Sequence, residues 1–118
     1  MDVMIVDDCT KIRAMLSALL KNQLTDLKNI YECKSGTEAI TCYEKNKPDW
    51  TLMDIRMEPL NGFSVSQKIL DMNPRAKIMI VTSYDDPEYR EKAKQLKVAA
   101  YVLKDNLNDV IAILKGLF

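Results

Sequence analysis

Short apolar runs alternate with amphipathic segments along the chain, and this alternation constrains the fold more than any other feature. Short, continuous apolar runs are typical of strands in a parallel sheet that helices cover on both faces. Four runs are clear, and a fifth, weaker run follows Asn29. The five predicted strands are residues 3–6, 30–33, 51–53, 78–81 and 99–103.

Segments with helical periodicity separate these strands. The clearest has apolar residues at positions 12, 15, 16, 19 and 20, the spacing of a helix that buries one face, and Thr10 is its predicted N-cap. Ser35 begins a capping-box pattern, and Asp86-Pro87 predicts an N-cap followed by proline in the first helical turn. Further helices are predicted after the turn at 61–62 and around 107–114.

The resulting order repeats a strand and a helix five times. Right-handed crossovers then place helices on both sides of the sheet, which predicts a doubly wound α/β fold. A chain of 118 residues has the length of one compact domain, and we expect a single domain over residues 1–118. Ligands of such folds bind beyond the carboxyl ends of the strands.

The charge composition limits the class of function. The chain has 17 Lys and Arg against 17 Asp and Glu, so its net charge gives no overall basis for binding nucleic acid or a membrane surface. It has no histidine, which excludes Ser-His-Asp catalysis, imidazole metal ligands and a phosphohistidine on this chain.

The three cysteines form no Cys-x-x-Cys pair, and no apolar run reaches membrane-spanning length, so we expect a cytoplasmic location without a membrane partner.

Polar side chains follow four of the predicted strands, at the point where each strand ends. Because the carboxyl ends of parallel strands meet at one edge of a sheet, these side chains are expected to converge. Each alone has an ordinary explanation, since aspartate and threonine cap helices or turns and lysine lies at surfaces. Together they predict a functional site. The residues are Asp7, Asp8, Asp54, Thr82, Ser83 and Lys104.

The charge of this predicted site favours a bound cation. Three carboxylates against one ammonium leave a local charge of about −2, which is unfavourable without a counter-ion. The oxygen donors suit Mg²⁺ and, without histidine, do not suit zinc or copper. An aspartate can attack phosphorus to form an acyl phosphate while Mg²⁺ and lysine neutralise the phosphoryl oxygens. Asp54, which alone follows the central strand, is the predicted nucleophile.

The ordered motifs resemble the receiver domain of two-component response regulators over essentially the whole chain. The resemblance implies a flavodoxin-like (βα)5 fold with a five-stranded parallel sheet in the order 2-1-3-4-5. The Tyr-x-Leu-Lys-Asp ending resembles the LuxR-type branch, whose members carry a DNA-binding helix-turn-helix module that these 118 residues lack. The motifs are Val6-Asp7-Asp8, Met53-Asp54-Ile55-Arg56-Met57 followed by Gly62, Val81-Thr82-Ser83 and Tyr101-Val102-Leu103-Lys104.

The resemblance also implies a ligand set for Mg²⁺. Asp54 is then the phospho-acceptor, and Asp8, Asp54 and the backbone carbonyl of Arg56 are metal ligands, with Asp7 assisting through a water. By the same resemblance Lys104 pairs with the phosphoryl group.

The resemblance implies a switch and a site that tunes the phosphoryl lifetime. Thr82 follows the phosphoryl group, and Tyr101 rotates between outward and inward states, which reshapes the face of the fourth helix, fifth strand and fifth helix. A half-exposed strand aromatic is an equally good reading of Tyr101. Arg56 and Tyr84 occupy the variable positions, and our hypothesis is that these bulky residues shield the acyl phosphate from water.

Two departures from the family pattern concern loop geometry. Proline usually follows the methionine of the acceptor loop directly, but here Glu58 intervenes and Pro59 comes one place later. Many receivers have a cis proline after the lysine, whereas this chain has Asp105. A cis bond before a non-proline residue costs about 2.5 to 4 kcal/mol, so we expect a trans bond there.

Three alternative functions fit parts of the pattern. A haloacid-dehalogenase-like phosphatase uses the same residue types but expects Asp-x-Asp after the first strand, whereas Asp7 and Asp8 are adjacent. A nucleotide or flavin binder needs a glycine-rich phosphate loop, which the three glycines do not form. A receiver-like interaction module that is never phosphorylated stays open because of the departures at Glu58 and Asp105.

The favoured reading is a phospho-accepting receiver rather than an enzyme that turns over a substrate. A histidine kinase or phosphotransfer protein, or a small phosphodonor, would phosphorylate Asp54 with Mg²⁺ as cofactor. A homodimer through the face of the fourth helix, fifth strand and fifth helix, and a DNA-binding output domain outside this chain, are further expected partners. The chain itself is not expected to bind nucleic acid.

Overall fold

Five parallel strands form one sheet at the centre of the molecule. The structure is a computed structural model that describes residues 1–117, so the last residue of the predicted domain lies outside it. The strand order β2-β1-β3-β4-β5 confirms the predicted flavodoxin-like order, and every adjacent pair is parallel. The strands are β1 (Asp2–Val6), β2 (Asn29–Cys33), β3 (Trp50–Met53), β4 (Ile78–Thr82) and β5 (Ala100–Leu103).

Five helices connect or follow these strands, as the periodicity predicted. A 3-10 turn, Lys104–Asn106, separates β5 from the last helix. None of the helices within residues 1–117 has both the length and the apolar character needed to cross a membrane. The helices are α1 (Thr10–Gln23), α2 (Gly36–Asn46), α3 (Gly62–Met72), α4 (Pro87–Leu96) and α5 (Asn108–Leu114).

Two of the predicted helix caps are confirmed and one is wrong. The Ser35 hydroxyl accepts a hydrogen bond from the backbone of Glu38, and Asp86 caps α4. Thr10, however, is the first residue of α1, and Cys9 occupies the N-cap position without a side-chain cap. The reason is a local turn, because the Asp7 carboxylate accepts a hydrogen bond from the Cys9 N–H at 2.9 Å and starts the helix one residue earlier.

The apolar strand residues alternate between two cores, one on each face of the sheet. One core packs under α2, α3 and α4 and includes Met4, Met53 and Ile69. The other packs under α1 and α5 and includes Ile5 and Leu52. Both faces of each central strand are therefore buried, which explains why these strands are continuously apolar. This packing fixes the carboxyl edge of the sheet, where the predicted site residues lie.

Candidate functional site

Backbone hydrogen bonds hold the two buried aspartates at neighbouring positions on this edge. β1 pairs with β3 so that Val6 lies opposite Met53, and the site aspartates follow directly. The Asp54 N–H donates to the Val6 carbonyl at 2.9 Å, and the Asp7 N–H donates to the Cys33 carbonyl at 3.1 Å. Each aspartate therefore leaves its strand with its backbone still held by the neighbouring strand.

Three carboxylates converge at this edge. Asp7, Asp8 and Asp54 each offer an oxygen atom, and the three oxygens lie within 4.8 Å of one another. Asp7 is 2% exposed and Asp54 is 7% exposed, whereas Asp8 is open to solvent. The sequence prediction that these residues converge is confirmed.

Lys104 lies between the two buried carboxylates. Its Nζ is 2.9 Å from Asp7 Oδ2 and 3.2 Å from Asp54 Oδ1. The side chain reaches them from the start of the 3-10 turn after β5, two strands away from Asp54 across the sheet. A single ammonium thus contacts two of three carboxylates, and the local excess of negative charge remains.

Burial and the neighbouring charges perturb the pKa values of Asp54 and Lys104. Burial and the nearby Asp7 raise the pKa of Asp54 to about 6, although its contacts with Lys104 act to lower it. Burial alone would lower the pKa of Lys104, but its hydrogen bonds and charge interactions with Asp7 and Asp54 outweigh burial and raise that pKa. Asp54 is therefore a carboxylate whose ionised form the fold stabilises poorly.

The donor chemistry of the acidic cluster fits a hard divalent cation. All three candidate donors are carboxylate oxygens, and Mg²⁺ prefers one or two carboxylates together with waters and phosphate oxygens. Asp8 and Arg56 border one cavity of about 370 Å³, which leaves room for waters beside the exposed Asp8 carboxylate. The Arg56 carbonyl as a ligand, and Asp7 acting through water, stay predictions.

The loop after β3 is closed by a glycine that no other residue can replace without movement. The Gly62 N–H donates to the Ile55 carbonyl at 2.7 Å. A Cβ atom at Gly62 would lie 1.9 Å from the Asp54 carbonyl oxygen, so the backbone approaches too closely for any side chain. Within residues 1–117 the only cis peptide is Glu58–Pro59, and the bond between Lys104 and Asp105 is trans, as expected.

Thr82 and Tyr101 both bind the backbone of Tyr84. Thr82 is fully buried at the end of β4, and its hydroxyl accepts a hydrogen bond from the Tyr84 N–H at 3.2 Å. The Tyr101 hydroxyl donates to the Tyr84 carbonyl at 2.6 Å. The Arg90 guanidinium lies 4.5 Å from the centre of the Tyr101 ring. The two predicted switch residues are thus joined through one loop residue, which also places Tyr101 at the α4 side of β5.

Arg56 and Tyr84, the two residues of the shielding hypothesis, are in direct contact, and the shielding role itself stays a prediction. The Arg56 guanidinium carbon lies 3.8 Å from the centre of the Tyr84 ring, and both side chains are exposed. The Arg56 Nε also donates to the Tyr89 hydroxyl at 3.2 Å, which connects the acceptor loop to α4.

Sequence reasoning missed three residues at this edge. Arg13 donates from Nη1 to the Asp7 carbonyl at 2.6 Å, and Tyr89 and Arg90 contact Arg56 and Tyr101 from α4. The only signal available for Arg13 was its place in the first turn after the predicted acidic pair. Tyr89 and Arg90 belong to a charged, amphipathic segment whose pattern does not show which of its residues reach the site.

A comparison with known families agrees with this geometry. The model of the response regulator receiver domain matches residues 3–115. The chain belongs to the response regulator receiver domain family. Its resemblance to that family, stated above from motifs alone, is thereby confirmed.

Relatives and solved structures place this receiver domain near the LuxR-type regulators. The chain is 34% identical over 105 residues to the uncharacterized transcriptional regulatory protein YhcZ of Bacillus subtilis, covering 89% of this chain and 49% of that protein. It is 33% identical to the response regulator protein VraR of Staphylococcus aureus, covering 86% of this chain and 48% of VraR. The receiver domain thus spans about half the length of these curated relatives.

The solved structures show the same fold. A LuxR-family DNA-binding response regulator from Staphylococcus aureus superposes with a TM-score of 0.89 at 26% identity, covering 98% of this chain and 97% of that one. The response regulator domain of Thermotoga maritima CheB gives a TM-score of 0.85 at 25% identity, covering 99% and 92%.

The raised pKa of Asp54 predicts a pH-dependent stability penalty in the absence of Mg²⁺. Because the folded-state pKa lies above the usual value of 3.8, the penalty is fully present above pH 6 and disappears as the pH falls towards 4. We expect Asp54→Asn to raise the free energy of unfolding by about 1 to 3 kcal/mol near neutral pH, and by less as the pH falls. Urea unfolding of the wild type and of Asp54→Asn between about pH 4 and pH 7 measures this difference in the free energy of unfolding. An equal gain at both ends of the range would contradict the electrostatic origin.

Proposed function

We propose that this receiver domain accepts a phosphoryl group on Asp54 in a Mg²⁺-dependent reaction. The donor is the phosphohistidine of a histidine kinase or phosphotransfer protein, or a small acyl phosphate. The observation that carries the proposal is the position of the Asp54 carboxylate, which is buried beside Asp7, Asp8 and the Lys104 ammonium.

The transfer forms an oxygen–phosphorus bond and breaks the phosphorus–nitrogen bond of a phosphohistidine donor, or the phosphorus–oxygen bond of an acyl phosphate, whose carboxylate then leaves. A carboxylate oxygen of Asp54 attacks phosphorus, and the bonding electron pair leaves with the donor's imidazole nitrogen or, for an acyl phosphate, with its carboxylate oxygen. The attack needs the ionised carboxylate, and Asp54 with a pKa of about 6 is mostly ionised at neutral pH. Mg²⁺, when bound by Asp8, Asp54 and the Arg56 carbonyl, would neutralise charge on the phosphoryl oxygens.

Lys104 and Thr82 then act on the phosphorylated side chain. Lys104 already lies 3.2 Å from Asp54 Oδ1, so a small movement brings its ammonium to a phosphoryl oxygen. The buried Thr82 hydroxyl can donate a hydrogen bond to another phosphoryl oxygen, which draws this residue towards the acceptor. Hydrolysis later returns the aspartate and releases inorganic phosphate, so the domain catalyses only its own modification and its reversal.

The switch runs through Tyr84 to the face formed by α4, β5 and α5. Because Thr82 and Tyr101 bind the N–H and carbonyl of the same residue, movement of Thr82 perturbs the anchor of the Tyr101 hydroxyl. Two packed states of this loop then differ in the surface that α4 and Tyr101 present.

The similar proteins support a proposal for the output. The named relatives include a transcriptional regulator and a LuxR-family DNA-binding regulator, and the domain spans about half of YhcZ and of VraR. We therefore infer a DNA-binding output module outside the described residues, while cytoplasmic signalling and a homodimer through the α4–β5–α5 face stay predictions from the family resemblance. This domain itself would not contact DNA.

The proposal is tested by incubation with Mg²⁺ and acetyl phosphate, followed by intact mass measurement and mapping of the modified residue. We expect one added phosphoryl group on Asp54, none on Asp54→Asn, and normal modification of Asp71→Asn, which removes an exposed carboxylate on α3. Modification of Asp54→Asn to the wild-type extent, or none of the wild type, would overturn the proposal.

The contact between Arg56 and Tyr84 predicts a slow loss of the phosphoryl group. We expect the double variant Arg56→Ala/Tyr84→Ala to dephosphorylate several-fold faster, because water then reaches the acyl phosphate more freely. Decay of the phosphorylated protein, followed by mass measurement after donor removal, gives the rate. Lys68→Ala, which removes an exposed cation from α3, serves as the control. An unchanged dephosphorylation rate in the double variant would contradict the shielding hypothesis.

A further inference from the structure

One cation near the acidic cluster has no part in the reaction described above. Arg13 lies on α1 and its side chain is only 12% exposed. Its Nη1 donates to the backbone carbonyl of Asp7 at 2.6 Å, the shortest of its contacts. Its Nη2 donates to the Thr10 hydroxyl at 3.3 Å, and its Nε lies 3.4 Å from Glu32 Oε1 on β2. Three guanidinium nitrogens thus reach three different partners.

The Asp7 carbonyl is a sensitive place for such a contact. It belongs to the peptide that joins Asp7 to Asp8, so the hydrogen bond fixes the orientation of that peptide. Asp7 is also held through its N–H by Cys33, and through its carboxylate by Cys9 and Lys104. Asp8, in contrast, is exposed, and the direction in which its carboxylate points depends on the backbone before it.

We propose that Arg13 is a positioning residue that holds the peptide between Asp7 and Asp8 so that the Asp8 carboxylate faces the other two acidic side chains. This inference rests on the proposed function, because it assigns Arg13 a role in preparing that site for Mg²⁺. Arg13 touches neither the phosphoryl group nor the cation in this account. It acts through the Asp7 carbonyl, as residues behind a metal ligand commonly do.

The positioning role and a simple charge effect predict opposite results. Loss of a cation beside an acidic cluster, taken alone, would strengthen the attraction for Mg²⁺. Loss of the hydrogen bond from Arg13 to the Asp7 carbonyl would weaken Mg²⁺ binding, because Asp8 then has to be ordered when the ion binds. A lysine at position 13 keeps the charge but offers one nitrogen in place of three, so it restores the contacts of the guanidinium only in part.

The test is the dissociation constant of Mg²⁺ by calorimetry without phosphodonor, together with the phosphorylation rate at saturating Mg²⁺. We expect Arg13→Met to weaken Mg²⁺ binding about tenfold, with Arg13→Lys between Arg13→Met and the wild type. The phosphorylation rate at saturating Mg²⁺ should stay within about threefold of the wild type, since the bound ion then orders the Asp8 carboxylate. Lys11→Met removes an exposed charge from the same helix and should change the affinity less than about twofold.

Each result has a definite meaning. An Arg13→Met affinity equal to or tighter than that of the wild type overturns the positioning role. If thermal unfolding shows that Arg13→Met does not fold, Arg13→Lys decides: reduced affinity supports the role and unchanged affinity overturns it. A wild-type chain that binds no Mg²⁺ would overturn the proposed function and this inference with it, whereas unchanged variants with a wild type that binds would overturn the inference alone.

Discussion

The contact of Lys104 with two buried carboxylates is the interaction on which the rest of the site depends. It brings together Asp7 from the end of β1 and Asp54 from the end of β3, which would repel each other without a cation between them. It does not neutralise the cluster, because Asp8 adds a third carboxylate. At neutral pH the fold therefore holds a local excess of negative charge, and burial together with the nearby Asp7 raises the pKa of Asp54 to about 6.

The surrounding structure maintains this unfavourable arrangement. The two cores fix β1 and β3 from both faces, and hydrogen bonds that continue past the strand ends hold the backbones of Asp7 and Asp54. Gly62 closes the acceptor loop at a distance from the Asp54 carbonyl that excludes a side chain. The destabilising charge is confined to one edge, where a divalent cation and a phosphoryl group would relieve it.

The apolar runs and helical periodicity were sufficient to predict the five strands and five helices, and the family resemblance predicted the strand order. The convergence of the site residues could be predicted because strand ends in a parallel sheet meet at one edge. These residues are Asp7, Asp8, Asp54 and Lys104. It was not sufficient for contacts that depend on side-chain direction. Threonine commonly occupies the N-cap position, which is why Thr10 was predicted there. A turn at the Asp7 carboxylate instead starts α1 one residue earlier. Likewise, no periodicity indicates that Arg13 turns back to the Asp7 carbonyl, or that Thr82 and Tyr101 share Tyr84 as a partner.

The most direct test of this account is the titration of the Asp54 carboxyl carbon by ¹³C NMR, with and without Mg²⁺. The account predicts a midpoint near pH 6 without the ion and a clear downward shift when Mg²⁺ is added, because the cation compensates the charge that Lys104 leaves unbalanced. A midpoint at the ordinary value for aspartate, unchanged by Mg²⁺, would contradict the central claim that an uncompensated carboxylate cluster prepares Asp54 for the ion and the phosphoryl group.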